Sequence, residues 1–324
     1  MIKPRLNMRL SKKQTVVFEF GSAFTKVILN DKLIFHEPSL MIWQQSQEKV
    51  WALGAAAKQN QSKLSQEFQL ISPIKRKAIA NQEMFLVYLR SLLEFLDLKL
   101  AFTPWQRIQV KILVPAELPL VQQEIFKSSF KTVLPQAKFF SSRDVLAQSE
   151  VFAGGRRFGV DLGQTISFWA FASGSLVKLK HYYYGEVELD QLIRQAIETK
   201  TGCQLDEMTL VKLKHQLVDF RSKPSQKRLV ASVKDQRTGL GKTVMLDASD
   251  LTEALSLWQA EFFELVEDFF NQLEGAIASD LVENGLILFG GLANLHGLAQ
   301  GLTDHLGSQV KVVDKPDLFL VNLL

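Results

Sequence analysis

Two short units of one design, one in each half, most constrain what this 324-residue chain can become. In the first, the strand-like runs 15–20 and 25–29 are joined by Gly21-Ser22-Ala23, with Glu19 near the end of the first run. In the second, runs 158–162 and 166–172 flank Gly163-Gln164-Thr165, and Asp161 takes the corresponding place. Either unit alone reads as an ordinary hairpin. One per half, they read as an internal repeat whose glycine turns present backbone N–H groups and small hydroxyls to phosphate oxygens. Each acid is suited to hold a magnesium-bound water, because Mg²⁺ keeps much of its hydration shell.

The rest of the chain supplies elements around these turns. Apolar residues at Met84, Phe85, Tyr88, Leu89, Leu92, Leu93 and Leu96 have helical spacing with one buried face. Residues 111–114 read as a buried strand and 122–130 as a helix. In the second half, 187–199 reads as a helix, 229–246 as a hairpin around Gly239 and Gly241, and 251–273 as a long amphipathic helix. A buried strand at 286–289 runs into Phe289-Gly290-Gly291-Leu292, and then into a helix over 295–306. The glycines of that third turn let a flat ring approach the backbone. Ala153-Gly154-Gly155-Arg156-Arg157 is the expected boundary between domains 1–152 and 153–307, with 308–324 returning to the first.

Composition limits the classes open to such a chain. Apolar residues at 47% and charged residues at 22% suit packed globular domains, and no run approaches the roughly 18 apolar residues of a spanning helix. The single cysteine, Cys203, allows no internal disulfide, and the first residues do not read as a secretory signal. A cytoplasmic location is expected. The net charge of +4 is mild, and clusters such as Lys75-Arg76-Lys77 and Arg156-Arg157 read as a solvated face or hinge, so nucleic acid is not an expected partner.

Several stretches give the chain a resemblance to a known family. His36-Glu37-Pro38-Ser39-Leu40 looks like Asn-Glu-Pro-Ser-Val, and Ala52-Leu53-Gly54-Ala55-Ala56-Ala57-Lys58 like Ala-Val-Gly-x-x-Ala-Lys. Residues 72–80 parallel Arg-Pro-Leu-Lys-Asp-Gly-Val-Ile-Ala, and Leu213-Lys214-His215-Gln216-Leu217 is similar to Ile-Lys-His-Glu-Ile. Residues 278–285, leading into Gly290-Gly291, look like Ala-Ser-Asp-Ile-x-Glu-x-Gly before a Gly-Gly turn. In this order the segments resemble MreB, a bacterial branch of the actin, Hsp70 and sugar-kinase superfamily. The resemblance implies an α/β, actin-like (duplicated ribonuclease-H-like) fold, with two domains flanking a nucleotide cleft. It implies that ATP and Mg²⁺ bind, with Gly21, Ser22, Thr25, Gly163, Gln164 and Thr165 at the phosphates. Asp161 and Glu19 would serve the metal, Gly185 would lie by the ribose, and Lys214, Gly290 and Gly291 would hold the adenosine end.

It further implies a filament-forming scaffold of cell shape and cell-wall morphogenesis on the inner face of the cell membrane. Its partners would be further copies or a paralogue, together with cell-elongation and membrane proteins. The alternative is a non-polymerising actin-like adaptor, similar to FtsA or PilM. A small-molecule phosphotransferase is disfavoured, since no substrate-side base is apparent.

The departures from the family fall on the chemistry. Glu19 replaces an Asp, Phe24 a polar residue, Gln216 an acid and Leu292 a third glycine, while the second turn has lost its glycine run. Where the family has Ile-Glu-Glu-Pro, with a Glu that orients the attacking water, this chain reads Ser141-Ser142-Arg143-Asp144. Loss of such a base costs on the order of two to four decades in rate, so ATP hydrolysis is expected to be very slow or absent. No residue is assigned as catalytic. Gly241-Lys242-Thr243 reads as a hairpin tip, because position 236 is Gln where a P-loop needs Gly. Two segments are candidates for a membrane surface: the basic and apolar first residues, and the loop with Leu100, Phe102 and Trp105.

Overall fold

Each of the two hairpins is the centre of a five-stranded sheet, and the two sheets are built alike. The computed structural model describes residues 14–61, 64–96, 108–221, 226–273, 279–280 and 283–324. The chain divides into two compact units, one running to Leu146 and including Leu320–Leu324, the other Ala147–Phe319.

In the first unit the chain runs through β1 (Gln14–Phe20), β2 (Phe24–Leu29), β3 (Lys32–Pro38), β4 (Met41–Gln44), β5 (Lys49–Leu53) and α1 (Gly54–Asn60). It continues through β6 (Phe68–Ile71), β7 (Ile74–Lys75), β8 (Ala78–Ile79), α2 (Gln82–Phe95), β9 (Ile108–Val114), α3 (Leu120–Val133), β10 (Lys138–Ser141) and α4 (Ser142–Gln148). β1 pairs antiparallel with β2, from Val16↔Leu29 to Phe20↔Thr25, and parallel with β9 on its other side. The sheet order is β10-β9-β1-β2-β3, with β4, β5 and β6 in a small separate sheet and β7–β8 a hairpin. Alternation puts Val16, Phe18, Phe20, Val110, Ile112 and Val114 in one cluster with Phe85, Tyr88 and Leu89 of α2 and Phe126 and Phe130 of α3. Phe130 meets Phe20 at 4.9 Å and Phe85 at 5.2 Å, both edge-on, the geometry the ring quadrupoles favour.

The second unit contains β11 (Arg156–Leu162), β12 (Ile166–Ala172), β13 (Ser175–Tyr182), α5 (Glu186–Thr201), β14 (Cys203–Gln204), α6 (Glu207–Leu217), β15 (Arg228–Asp235) and β16 (Gly241–Asp247). It then passes through α7 (Thr252–Asn271), β17 (Leu286–Phe289), α8 (Leu298–Leu306) and β18 (Val310–Val312); the last helix, α9 (Phe319–Asn322), belongs from Leu320 on to the first unit. Its main sheet has the order β13-β12-β11-β17-β18, and β14, β15 and β16 form a smaller one. β11 runs antiparallel to β12 and parallel to β17, as β1 does to β2 and β9. Each sheet also carries a register shift between its second and third hairpin strands, at Val27/Ile28 and at Ala170/Phe171. Leu255, Trp258, Phe262, Val266 and Phe269 of α7 share a core with Leu189, Ile193 and Ile197 of α5.

The structure departs from the sequence reading in three places. Residues 153–157 are not a linker: β11 starts at Arg156, and the Ser173 N–H donates to the Gly155 carbonyl across the hairpin end. Phe152 is fully buried against Phe171 and Phe289, which places 147–152 with the second unit. The return over 308–324 is confined to Leu320–Leu324, because β18 pairs with β17 in the second sheet. The helix expected from 295 starts at Leu298: Gly291–Asn294 form a 3-10 turn, and Gly297, at φ +79°, opens the helix.

Candidate functional site

Within the second unit, distant parts of the chain converge on the turn after β11. The turn is closed by the Gly163 N–H donating to the Thr165 carbonyl at 3.1 Å, and Thr165 is buried. Gly185, at the N-terminus of α5, packs directly on it. A Cβ there would lie 2.6 Å from the Gly163 carbonyl oxygen and 2.8 Å from that of Gln164, so only glycine fits. The Glu186 N–H donates to Gly163 O at 3.0 Å, and the Trp258 indole N–H holds the Gly185 carbonyl at 2.9 Å. From the other side comes Gly290, at φ +89°. A Cβ on it would lie 2.5 Å from Leu162 O and 2.6 Å from an Asp161 carboxylate oxygen. Beside Gly291 there is open space, with no atom within 4 Å of where a Cβ would project. Asp161, Gly163, Gln164, Thr165, Gly185, Gly290 and Gly291 thus stand together, with an open face at Gly291.

Lys214, in the last turn of α6, joins this group through α5. Its Nζ lies 2.6 Å from Glu186 Oε1 and 2.7 Å from Asp190 Oδ1. Burial raises the Asp190 carboxyl to about 6, against the pull of the Lys214 ammonium. Burial works against the Lys214 charge as well, but Glu186 and Asp190 outweigh it and hold that pKa above its usual value. Gln216 and His215 point to solvent.

The turn of the first unit is differently occupied. Thr25 is fully buried, and its hydroxyl lies 2.9 Å from Ser39 Oγ and 3.0 Å from the Tyr88 hydroxyl. Ser39 donates to the Gly21 carbonyl at 2.6 Å. Each hydroxyl has one proton, so the chain runs one way: Tyr88 to Thr25, Thr25 to Ser39, Ser39 to Gly21 O. Ser22 Oγ accepts from the Lys77 N–H at 2.7 Å, and the Lys77 ammonium pairs with Glu117. Glu19 pairs with Lys26 at 3.0 Å. Phe24, at the strand start, is 38% exposed and meets the edge of the His36 ring. The Lys75–Lys77 cluster is therefore no simply solvated face, since Lys77 braces the turn.

In the segment 141–144, where the resemblance implies a water-orienting Glu, Ser142 is buried and its Oγ accepts from the Ala116 N–H at 2.9 Å. Arg143 and Asp144 pair with each other at 2.8 Å, both half exposed. No carboxylate stands at 141–142. Gly241-Lys242-Thr243 opens β16, a hairpin strand. Leu100, Phe102 and Trp105, like the first residues, lie outside the described residues. Among the described residues no group of three or more His, Cys, Asp or Glu is placed to hold a metal ion, and no helix is long and apolar enough to cross a membrane.

Several working residues escaped the sequence reading. Lys26 faces Glu19 because Phe20↔Thr25 closes the hairpin, so counting outward from the turn would have found it. Asp190 lies four residues after Glu186, on the same face of α5. Glu37 accepts from the Ala55 N–H at 3.0 Å and caps α1, which ties two of the resembling segments together. Glu117 carries no local signal.

The family model described as MreB/Mbl protein matches residues 13–322. The cell shape-determining protein Mbl of Bacillus cereus is 22% identical over 304 residues, covering 92% of this chain and 90% of that protein. The crystal structure of MreB5 of Spiroplasma citri bound to AMPPNP matches with a TM-score of 0.85 at 17% identity, covering 97% of this chain and 95% of that one. The MamK double helical filament matches at 0.75 and 15% identity, with 95% and 96% covered. The chain belongs to the MreB/Mbl family and has its actin-like α/β fold.

Proposed function

We propose that this chain is an MreB-like, filament-forming scaffold of bacterial cell shape and cell-wall morphogenesis, assembling with further copies or a paralogue and binding ATP weakly or without efficient hydrolysis. One observation carries the nucleotide part: the close packing of Gly185 and Gly290 on the Asp161–Thr165 turn, with open space at Gly291. When bound, ATP would supply a polyphosphate for backbone N–H groups of that turn, and Asp161 would order water on magnesium. On this reading Lys214 and the Gly290-Gly291 turn hold the adenosine end and Gly185 the ribose, while Gly21 and Ser22 offer the first turn's contacts. Thr25 would act through Ser39 and Gly21 rather than by touching phosphate. Family membership and the likeness to a filament of MamK support self-association. The same reading places the protein in the cytoplasm, at the inner face of the membrane with cell-elongation and membrane proteins. Leu100, Phe102 and Trp105 are its proposed membrane contact.

Electron microscopy of the purified chain with and without ATP tests the assembly, and titration with a fluorescent ATP analogue tests the site. Filaments whose abundance rises with ATP are expected. The second reading, a non-polymerising adaptor like FtsA or PilM, is favoured by one feature, a first turn whose acid is ion-paired to Lys26 and whose Thr25 and Ser39 hydroxyls are engaged within the unit. Monodisperse protein under every nucleotide condition would select it.

A further inference from the structure

The duplicated sheets allow one half to be read against the other, position by position. Glu19 stands opposite Lys26 in β2, and Lys26 opposite His36 in β3. In the second half Asp161 stands opposite Ser167, and Ser167 opposite His181. The acids, the residues facing them and the histidines beyond are thus equivalent. In the second half the middle position is a hydroxyl, bonded to the His181 ring at 2.9 Å. In the first half it is an ammonium. The side chains of Lys26 and Glu19 are 11% and 15% exposed and lie 3.0 Å apart.

A divalent ion and an ammonium compete for one mostly buried carboxylate. The two cations repel at short range in a medium that screens them poorly, and Mg²⁺ demands octahedral oxygen geometry at about 2.0–2.1 Å. Lys77 is committed beside the same turn, its backbone N–H donating to Ser22 and its ammonium neutralised by Glu117. We propose that Lys26 is the built-in cation of the first turn, standing where a divalent ion would otherwise serve Glu19, so that Glu19 takes no magnesium. This deepens the nucleotide reading above, and it rests on the geometry within each unit taken by itself.

The test compares the response to Mg²⁺ alone, read as a shift in Tm, and to Mn²⁺ alone, read by water-proton relaxation. The proteins are the wild-type chain, Glu19→Gln, Lys26→Met, Lys26→Arg and the double variant Lys26→Met with Glu19→Gln. The same proteins are then titrated with a fluorescent ATP analogue in magnesium and in EDTA. Wild type, Glu19→Gln and Lys26→Arg are expected to respond to either metal alike, since Glu19 holds none. Lys26→Met is expected to gain a metal-dependent rise in Tm that the double variant lacks. A larger metal response in wild type than in Glu19→Gln overturns the proposal. So does a folded Lys26→Met chain that admits no extra metal. If Lys26→Met does not fold, the comparison of wild type with Glu19→Gln decides alone. Failure of every protein to bind the ATP analogue sinks the nucleotide reading, and the metal-only comparison still decides the role of Lys26.

Discussion

Single side chains around the two turns are committed in ways that stability measurements read directly. Ser39 is both an acceptor and a donor in the relay from Tyr88 to Gly21. Ser39→Ala leaves the buried Thr25 proton without its acceptor and the Gly21 carbonyl without the Ser39 donor, an expected cost of about 1–3 kcal/mol, measured as a lower urea midpoint with unchanged slope. Asp190 has the opposite character. Its carboxyl is raised from 3.8 to about 6, so the native state holds the proton more tightly than the unfolded chain. Its contribution is therefore present at low pH and lost as pH rises through 6. Between those two values stability is expected to fall by about 3 kcal/mol on its account, and Asp190→Asn should flatten that part of the profile.

At the scale of elements, the turns are held by close backbone approach. Gly290→Ala places a methyl 2.5 Å from Leu162 O at a φ of +89°, so the third turn must move off the second. A loss of a few kcal/mol is expected, together with loss of binding of an ATP analogue, while the first unit keeps its amide-exchange protection. The β7–β8 hairpin shows the reverse case. Arg76 and Lys77 turn it at φ +50° and +66°, where the resembling family segment has Asp-Gly. Such turns favour Asn or Gly, so Arg76→Asn is expected to raise stability by about 1 kcal/mol, seen as a higher Tm. Lys77 is the wrong residue to relax, since it ties Ser22 to Glu117.

For the molecule as a whole, family membership and fold are settled, while slow hydrolysis is an expectation that rests on residues 141–144. Ser142 is committed to the Ala116 N–H, and Arg143 and Asp144 to each other. Phosphate release is expected to fall about two to four decades below that of a relative with a water-orienting Glu. A coupled phosphate assay checks it, and turnover at the relative's rate would show that some other group positions the water.

The amino-acid sequence by itself determined both hairpins, the acids near their ends, the Gly-Gly turn after the buried strand and the main helices. These rest on short-range rules: alternation in strands, helical spacing, and glycine where the chain must turn. Lys26 shows where such rules stop, for its partner is known only once the register of β1 on β2 is known. The same holds for Lys214, clamped by two acids from another helix, and for Glu117, which meets Lys77 from forty positions away. It holds too for Thr25, read as a phosphate contact and found inside a relay. Tertiary structure alone decided these, because a charge or hydroxyl acts on what lies within a few ångströms, and folding brings those neighbours from afar.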